Sequence, residues 1–232
     1  MTTIIPPTFI ERYQYKSSKQ INDSKTGKRL YETPQNEKLP SVTTILGATK
    51  DMTHLDAWKQ RVGHDNAKAI VTEAANVGTE MHANLERFIV GLPRQTNHNV
   101  IHNQANKMAD VIIANGLSHV SEIWAMEQSL YYPGLYAGTT DLIGVYDGIP
   151  AIMDYKQSNK PKRKEWIEDY FLQLVAYAMA HNEVYNTNIQ HGHIFVCTRD
   201  LEFQQFDLVP EEFNMYQDIW LTRIDTFYKN TI

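Results

Sequence analysis

The sequence predicts an α/β fold in which a central mixed β-sheet is flanked by helices, with a helical portion on the N-terminal side. Three successive segments, at 121–132, 135–146 and 149–156, alternate apolar and polar residues and are rich in Tyr, Ile and Val, as strands are. Segments with helical periodicity come before and after them. A run of strands between runs of helices is typical of a layered α/β unit.

The N-terminal segment is polar and rich in turn-forming residues over 1–40. Within it, Lys25-Thr26-Gly27-Lys28 predicts a hairpin turn. The first helix is expected from LPSVTTIL at 39–46, where Ser41 or Thr43 can serve as the N-cap.

Helical periodicity continues through the next sixty or so residues. From about 54 to 90 it predicts two helices that are broken near Asn76-Val77-Gly78, and the second ends at Gly91-Leu92-Pro93. Another helix is predicted over roughly 98–115, and Asn115-Gly116 ends it.

The region after the three strands continues the α/β pattern. It predicts a helix at about 165–182, a strand at 190–198, a short hairpin partner at 201–208 and a last helix from Pro210 to about Lys229. We see no internal repeat, low-complexity tract or long linker. We therefore expect 1–232 to form a single domain, made of an N-terminal segment (1–40), a helical portion (41–116) and a core (117–232).

Composition narrows the class of protein. The chain has 232 residues, 42% of them hydrophobic, which is enough for one well-buried core. Its formal net charge of -5 argues against a protein that coats nucleic acid along its whole surface, but a local basic patch remains compatible with it. A single cysteine, Cys197, forms no intrachain disulfide and supplies no iron–sulfur cluster. With no leader-like N-terminus and no long apolar run, we expect a cytoplasmic protein, bacterial or in a phage-infected cell, without membrane contact.

Two aspartates and a lysine carry the first chemical signal. Asp147-Gly148 between apolar runs is a strong hairpin signal, and it would bring Asp141 to the end of the strand that closes with Asp154-Tyr155-Lys156. Asp154 follows an apolar run in which an unpaired carboxylate is costly. Carboxylates are the ligands that Mg²⁺ or Mn²⁺ prefers, and a lysine beside them suits a phosphate oxygen or a water. These residues suit a metal-dependent phosphodiesterase; the alternative is a turn aspartate and a surface Asp–Lys pair.

Two polar pairs lie four residues apart on predicted helices and so share a face. The first pair is His82 and Glu86, for which a solvated polar face is the alternative. The second is Gln173 and Tyr177, whose amide and hydroxyl can orient a lysine or a phosphate by hydrogen bonds. An amphipathic helix with an incidental glutamine explains that pair equally well. The His-Glu-x-x-His motif of a zinc protease is not present around His82.

One dense basic run follows the Asp-x-Lys strand. At the mouth of the expected site it would guide a polyanion, although a solvated loop is the alternative. Trp58 can add a stacking surface for unpaired bases. We expect nucleic acid to contact Ser158, Lys160, Lys162, Arg163, Lys164 and Trp58.

At these residues the sequence resembles the PD-(D/E)XK nuclease superfamily, in its RecB-like branch. The matching motifs are Gly78-Thr79-x-x-His82-x-x-x-Glu86, Glu127 before Gly138-Thr139-x-Asp141, Asp154-Tyr155-Lys156-x-Ser158, and Gln173-x-x-x-Tyr177. Within that branch the chain is similar to the mitochondrial genome maintenance exonucleases and related phage exonucleases. The shared segments are LPSVTTIL at 39–46, AWKQR at 57–61 and DYKQSNKPK at 154–162.

The resemblance implies a restriction-endonuclease-like core and a role for each motif residue. The metal, Mg²⁺ or Mn²⁺, would be bound by Asp141, Asp154, the backbone carbonyl of Tyr155 and the His82 imidazole. Lys156 would position or deprotonate the attacking water. Glu86, Gln173 and Tyr177 would complete the catalytic set. Asp154 departs from the glutamate that many members of the superfamily have.

The resemblance also implies a function. We expect a metal-dependent DNA exonuclease that prefers single-stranded ends, over which the helices before the sheet would arch. A recombination or replication protein is a possible partner. Two alternatives stay open: a structure-specific flap endonuclease on the same core, and a catalytically silent nucleic-acid-binding subunit.

Overall fold

A computed structural model describes residues 4–24, 26–94 and 99–231. The strands are β1 (Thr8–Phe9), β2 (Lys19–Asn22), β3 (Arg29–Glu32), β4 (Lys38–Pro40), β5 (Val120–Tyr132), β6 (Tyr136–Tyr146), β7 (Ile149–Ser158), β8 (His191–Thr198) and β9 (Phe203–Leu208). The helices are α1 (Val42–Thr49), α2 (Thr53–Val62), α3 (His64–Ile89), α4 (Val100–Asn115), α5 (Glu168–Tyr185) and α6 (Pro210–Lys229).

A mixed six-stranded sheet with the order β1-β5-β6-β7-β8-β9 lies at the centre. β5, β6 and β7 form an antiparallel meander, β7 and β8 are parallel, and β9 returns antiparallel to β8. The β6–β7 connection has positive φ at both Asp147 (46°) and Gly148 (82°), the geometry of a two-residue type I′ turn. The hairpin expected from Asp147-Gly148 is therefore confirmed.

Helices cover both faces of this sheet because its inner strands are apolar on both sides. Along β7, Ile152 belongs to the apolar cluster under α1, α5 and α6, whereas Ala151, Met153 and Tyr155 belong to the cluster under α3 and α4. This arrangement confirms the predicted fold class, a mixed sheet flanked by helices. Among the helices of the described residues, none has the length and apolar character needed to cross a lipid bilayer.

The predicted break near Asn76-Val77-Gly78 is wrong, since α3 runs without interruption from His64 to Ile89. Val77, Met81 and Leu85 are all buried, so one apolar stripe at a spacing of four residues continues through that point. The two helices separate instead at Gly63, whose φ of 84° and ψ of 145° lie in a region that side chains rarely enter.

The N-terminal segment is more regular than its polar composition indicates. β2, β3 and β4 form a second, three-stranded antiparallel sheet, and β1 joins the edge of the main sheet. Asn22 pairs with Arg29, so β2 and β3 form the hairpin that the Lys25–Lys28 turn predicts; Lys25 itself lies outside the described residues. Ser41 bridges to Ala137, which attaches this sheet to the start of β6.

Candidate active site

The site lies where β6 and β7 separate. Their pairing ends at Leu142 and Met153, and the next residues along each strand are Asp141 and Asp154. Beyond this point β6 stays paired with β5, and β7 with β8. The Tyr155 N–H donates a hydrogen bond to Asp141 Oδ2 at 2.8 Å. The two aspartates therefore flank an opening in the sheet, as the hairpin signal predicts.

His82 reaches this opening from α3. Its Nε2 lies 2.9 Å from the Tyr155 carbonyl, and because a carbonyl only accepts, Nε2 donates. Its Nδ1 lies 3.7 Å from Asp141 Oδ2 and 3.9 Å from Glu127 Oε1. Burial lowers the pKa of His82, but Asp141 and Glu127 more than compensate and raise it to about 9. The imidazole is therefore a cation between two carboxylates at neutral pH.

Glu127 owes its position to an unusual backbone conformation. It lies on β5 between the Met126–Leu142 and Gln128–Thr140 pairs, directly across from Asp141, with a left-handed φ of 47°. Few non-glycine residues adopt this conformation, which is enriched at functional sites.

His82, Glu127 and Asp141 together form a donor set that fits a metal ion. One ligand atom from each lies within 4.8 Å of the others. Two carboxylates and an imidazole suit Mn²⁺ or Mg²⁺, and a divalent cation would replace the proton held at Nδ1. The hydrogen bond from Nε2 to a backbone carbonyl is the usual way to orient a metal-binding histidine.

Asp154 pairs with Lys156 instead of joining that set. The two side chains are 6% and 22% exposed, and the Asp154 carboxylate contacts the Lys156 ammonium as a close ion pair. Burial raises the pKa of Asp154 to about 6. For Lys156, burial lowers the pKa, but Asp154 and Asp141 outweigh it, so the pKa is raised and the ammonium keeps its proton.

The other expected catalytic residues are Glu86, Gln173 and Tyr177. Glu86 and His82 line a cavity of about 380 Å³ with Glu127, and burial, aided by Glu127, raises the pKa of Glu86. Tyr177 is buried, and its ring packs so closely on β6 that a Cβ at Gly138 would lie 2.9 Å from it. Within the described chain, neither Gln173 nor Tyr177 hydrogen-bonds to Lys156, so their orienting role stays a prediction.

A second cavity, of about 580 Å³, opens beyond Lys156; we call it the basic pocket. Its lining includes Trp58, Arg61, Gln157, Lys160, Lys162 and Tyr170. Ser158 also lines it, and its hydroxyl donates to the Lys160 carbonyl at 2.6 Å.

Two of the expected nucleic-acid contacts lie outside this pocket. The Arg163 guanidinium packs 5.2 Å from the centre of the Trp166 ring, and Lys164 Nζ lies 2.5 Å from Glu212 Oε1. The structure thus brings Trp58, Ser158, Lys160 and Lys162 together but places Arg163 and Lys164 apart from them.

Sequence reasoning did not single out Tyr170. Its ring lies 5.3 Å from the Lys156 ammonium, as in a cation–π contact, and it separates that ion pair from the basic pocket. A signal was present, because Tyr170 precedes Gln173 by three residues and Tyr177 by seven, the spacing of one helix face. Glu127 and Arg61 appeared only inside quoted motifs, with no role assigned.

Comparison with known proteins gives relatives with one name. The chain is 27% identical to mitochondrial genome maintenance exonuclease 1 of Homo sapiens, over 96% of this chain and 68% of that protein. It is 28% identical to the Mus musculus protein of that name, over 83% of this chain and 60% of that one, so it spans only part of the length of these relatives. A crystal structure from Eubacterium rectale aligns with a TM-score of 0.49 at 12% identity, over 69% of each chain. No family model matches the chain.

Proposed function

We propose that this chain is a metal-dependent DNA exonuclease that acts on single-stranded ends. The observation that carries the proposal is the meeting of His82, Glu127 and Asp141 around one point, beside the Asp154–Lys156 pair. The similarity to proteins named mitochondrial genome maintenance exonuclease 1 supports the same reaction class.

The first role in this proposal is metal binding. His82, Glu127 and Asp141 would hold Mg²⁺ or Mn²⁺, with Asp154 and the Tyr155 carbonyl as further expected ligands. A bound divalent ion supplies Lewis-acid stabilisation of the charge that develops on the scissile phosphate.

Lys156 acts as a hydrogen-bond donor in this scheme. Because its ammonium keeps its proton, it orients the attacking water or a phosphate oxygen and does not remove a proton. Asp154 holds the ammonium in place, and the Tyr170 ring restrains it from the other side.

The helices before the sheet support a preference for free ends. α2 buries no residue, and over 64–76 of α3 only Ala67 is buried, so this helical hairpin stands out from the core. Trp58 and Arg61 on it face Lys160 and Lys162 across the basic pocket. A strand end can thread between them, whereas a closed circle has no end to thread.

Incubation with labelled DNA tests the proposal. We expect the pure protein to shorten linear single strands to small products with Mg²⁺ or Mn²⁺, to do nothing in EDTA, and to leave a closed single-stranded circle intact. Prompt cutting of the circle would favour a flap-type endonuclease, and binding without cleavage would favour a silent binding subunit.

A pair of matched variants controls for the site. Asp141→Asn removes one carboxylate of the donor set and should abolish cleavage. Asp225→Asn removes an exposed carboxylate on α6 that pairs with Lys229, and this variant should cleave normally. Equal activity of the two variants would contradict the assignment of the site.

A further inference from the structure

The basic pocket has the chemistry of a nucleotide site as well as that of a phosphate-guiding surface. We propose that it binds one unstacked nucleobase of the DNA strand, with Trp58 as the stacking partner. This inference rests on the proposed function, because it takes the strand at Asp154 and Lys156 to be single-stranded DNA. It adds a base-binding subsite to the active site. The affinity for a DNA strand would then depend on its bases as well as on its sugar–phosphate backbone.

Size and lining both fit a base with its phosphate. The cavity of about 580 Å³ lies within the range of small-molecule sites. The Trp58 indole provides a flat apolar surface for stacking. Arg61, Lys160 and Lys162 provide three cations at the same cavity, which suits the phosphates on either side of a base.

The burial of Trp58 indicates that it belongs to the pocket and not to the core. α2 has no buried residue, yet Trp58 is half-buried on it. The apolar rim is completed by Ile70, which lies on the facing part of α3 and is 37% exposed. An indole held this way keeps an accessible face for a ligand.

Gln157 supplies a polar group suited to a base edge. Its Oε1 is buried and has no hydrogen-bond partner among the described residues. An unpaired buried amide oxygen is costly, so a base N–H that reaches it would be favoured. Amide side chains are common partners of base edges because they offer both a donor and an acceptor.

The pocket adjoins the Asp154–Lys156 pair, with the Tyr170 ring between them. Gln157 directly follows Lys156 on β7, and Tyr170 lines the pocket while its ring contacts the Lys156 ammonium at 5.3 Å. A base seated beside Trp58 therefore belongs to a nucleotide close to the scissile phosphate.

Binding to two strands that differ only in their bases tests the proposal. The probes are a fluorescent oligothymidylate and a fully abasic deoxyribose–phosphate strand of equal length, measured in EDTA. We expect Trp58→Ala to weaken oligothymidylate binding by about 5- to 150-fold, the effect of losing one base–aromatic stack. The same variant should leave binding of the abasic strand unchanged. Trp58→Phe should retain most of the affinity for oligothymidylate.

Trp166→Ala is the matched control, because Trp166 is 65% exposed and does not line the pocket. Any effect of its loss should be the same on both strands. An equal penalty for Trp58→Ala on both strands, no penalty on oligothymidylate, or no binding by the wild-type protein would each overturn the proposal. Circular dichroism checks folding, which Trp58→Ala should leave unchanged because α2 buries no residue.

The two proposals fail separately. Binding in EDTA does not require cleavage. Trp58-dependent binding without any cleavage would therefore contradict the nuclease proposal and still support the base-binding pocket. If Trp58→Ala cleaves DNA and binds it with wild-type affinity, the base-binding proposal is contradicted and the nuclease proposal is not.

Discussion

At the scale of single residues, the site holds more negative than positive charge. Two cations, His82 and Lys156, face a larger set of carboxylates: Glu86, Glu127, Asp141 and Asp154. Burial raises the pKa of both Glu86 and Asp154, so negative charge is disfavoured at these two carboxylates. A divalent cation can offset this excess of negative charge, which is a physical reason for the site to bind one.

Removing either member of the buried ion pair should stop cleavage but affect stability differently. Asp154→Asn removes a carboxylate that burial disfavours, while the partly exposed Lys156 ammonium keeps Asp141 as a neighbouring carboxylate, so the melting temperature without metal should hold or rise. Lys156→Ala leaves that carboxylate unpaired and should cost up to about 3–5 kcal/mol, less if Asp154 takes up a proton. Thermal melts and cleavage assays of both variants check this.

The double variant provides the control. Asp154→Asn combined with Lys156→Ala should be more stable than Lys156→Ala alone, since no unpaired charge remains. Near-normal turnover in either single variant would contradict the catalytic assignment.

His181 gives the fold a dependence on pH away from the site. Its Nδ1 lies 2.7 Å from the Thr187 hydroxyl, which donates its own hydrogen to Asn182 Oδ1 at 2.8 Å. Nδ1 therefore donates to Thr187, and Nε2 accepts from the Tyr15 hydroxyl at 2.9 Å. Burial lowers the pKa of His181 to about 4, which keeps the ring neutral in the folded state.

We expect acid to weaken the fold through His181. His181 binds a proton near pH 6.5 in the unfolded state but only near pH 4 in the folded state. Its contribution to the free energy of unfolding is therefore fully present above pH 6.5. About 3 kcal/mol is lost as the pH falls from 6.5 to 4. Denaturant unfolding at several pH values measures the loss, and His181→Gln should show a smaller loss over the same interval. An identical pH profile in the two proteins would rule out His181 as the cause.

At the scale of elements, the α2–α3 hairpin depends on one residue. Gly63 ends α2 and caps α3 with a φ of 84°, and this turn sets the direction in which α2 presents Trp58 to the basic pocket. Because α2 has no fully buried residue, this turn determines the position of the pocket wall more than packing does.

Replacing glycines at two positions should have opposite effects. Gly63→Ala forces a strained backbone, so it should cost about 1–3 kcal/mol and weaken single-strand binding. Gly47→Ala lies inside α1 with no atom within 4 Å of the new Cβ, so it should stabilise the fold by about 0.5–1 kcal/mol and leave binding unchanged. Melting curves and DNA titrations measure both. Unchanged stability in Gly63→Ala would show that the turn adapts.

The elements of the core were readable from sequence because their signals are local. Alternation located β5, β6 and β7, and Asp147-Gly148 fixed the β6–β7 register that brings Asp141 to Asp154. The α2–α3 boundary was misplaced because Gly78 resembles a helix break, whereas the buried stripe through Val77 overrides it.

Other features depend on contacts that no local pattern encodes. The first two strands, β1 and β2, are short and mostly exposed, so they lack alternation. Glu127 enters the donor set through a left-handed backbone conformation that its sequence neighbours do not signal. Asp154 was expected among the metal ligands, with a pair to Lys156 as the alternative; the structure has the pair, and the rotamers of the two side chains decide between them.

At the scale of the whole molecule, α3 connects two cavities of opposite charge. The acidic cavity at His82 and Glu127 and the basic pocket at Ile70 lie at successive positions along this helix. Both apolar clusters share the strands of one sheet, so we propose that 1–232 folds as a single domain. A net charge of -5 then leaves attraction for DNA to a local surface.

The two halves of the basic run should contribute unequally to DNA binding. Two double variants test this: Lys160→Ala/Lys162→Ala and Arg163→Ala/Lys164→Ala. Each removes two positive charges from a chain of net charge -5, so the two variants have the same net charge. Only the first pair lines the basic pocket; Lys164 is already neutralised by Glu212, and Arg163 packs on Trp166. We expect the first variant to bind single strands more weakly. The slope of log affinity against log salt should also become shallower by about 1.4, since each lost phosphate contact on a single strand changes it by about 0.7. The second variant should change both the affinity and the slope less.

Titrations at several salt concentrations measure these slopes. Equal changes in the two variants would mean that DNA responds to the charge of the whole loop and not to the pocket.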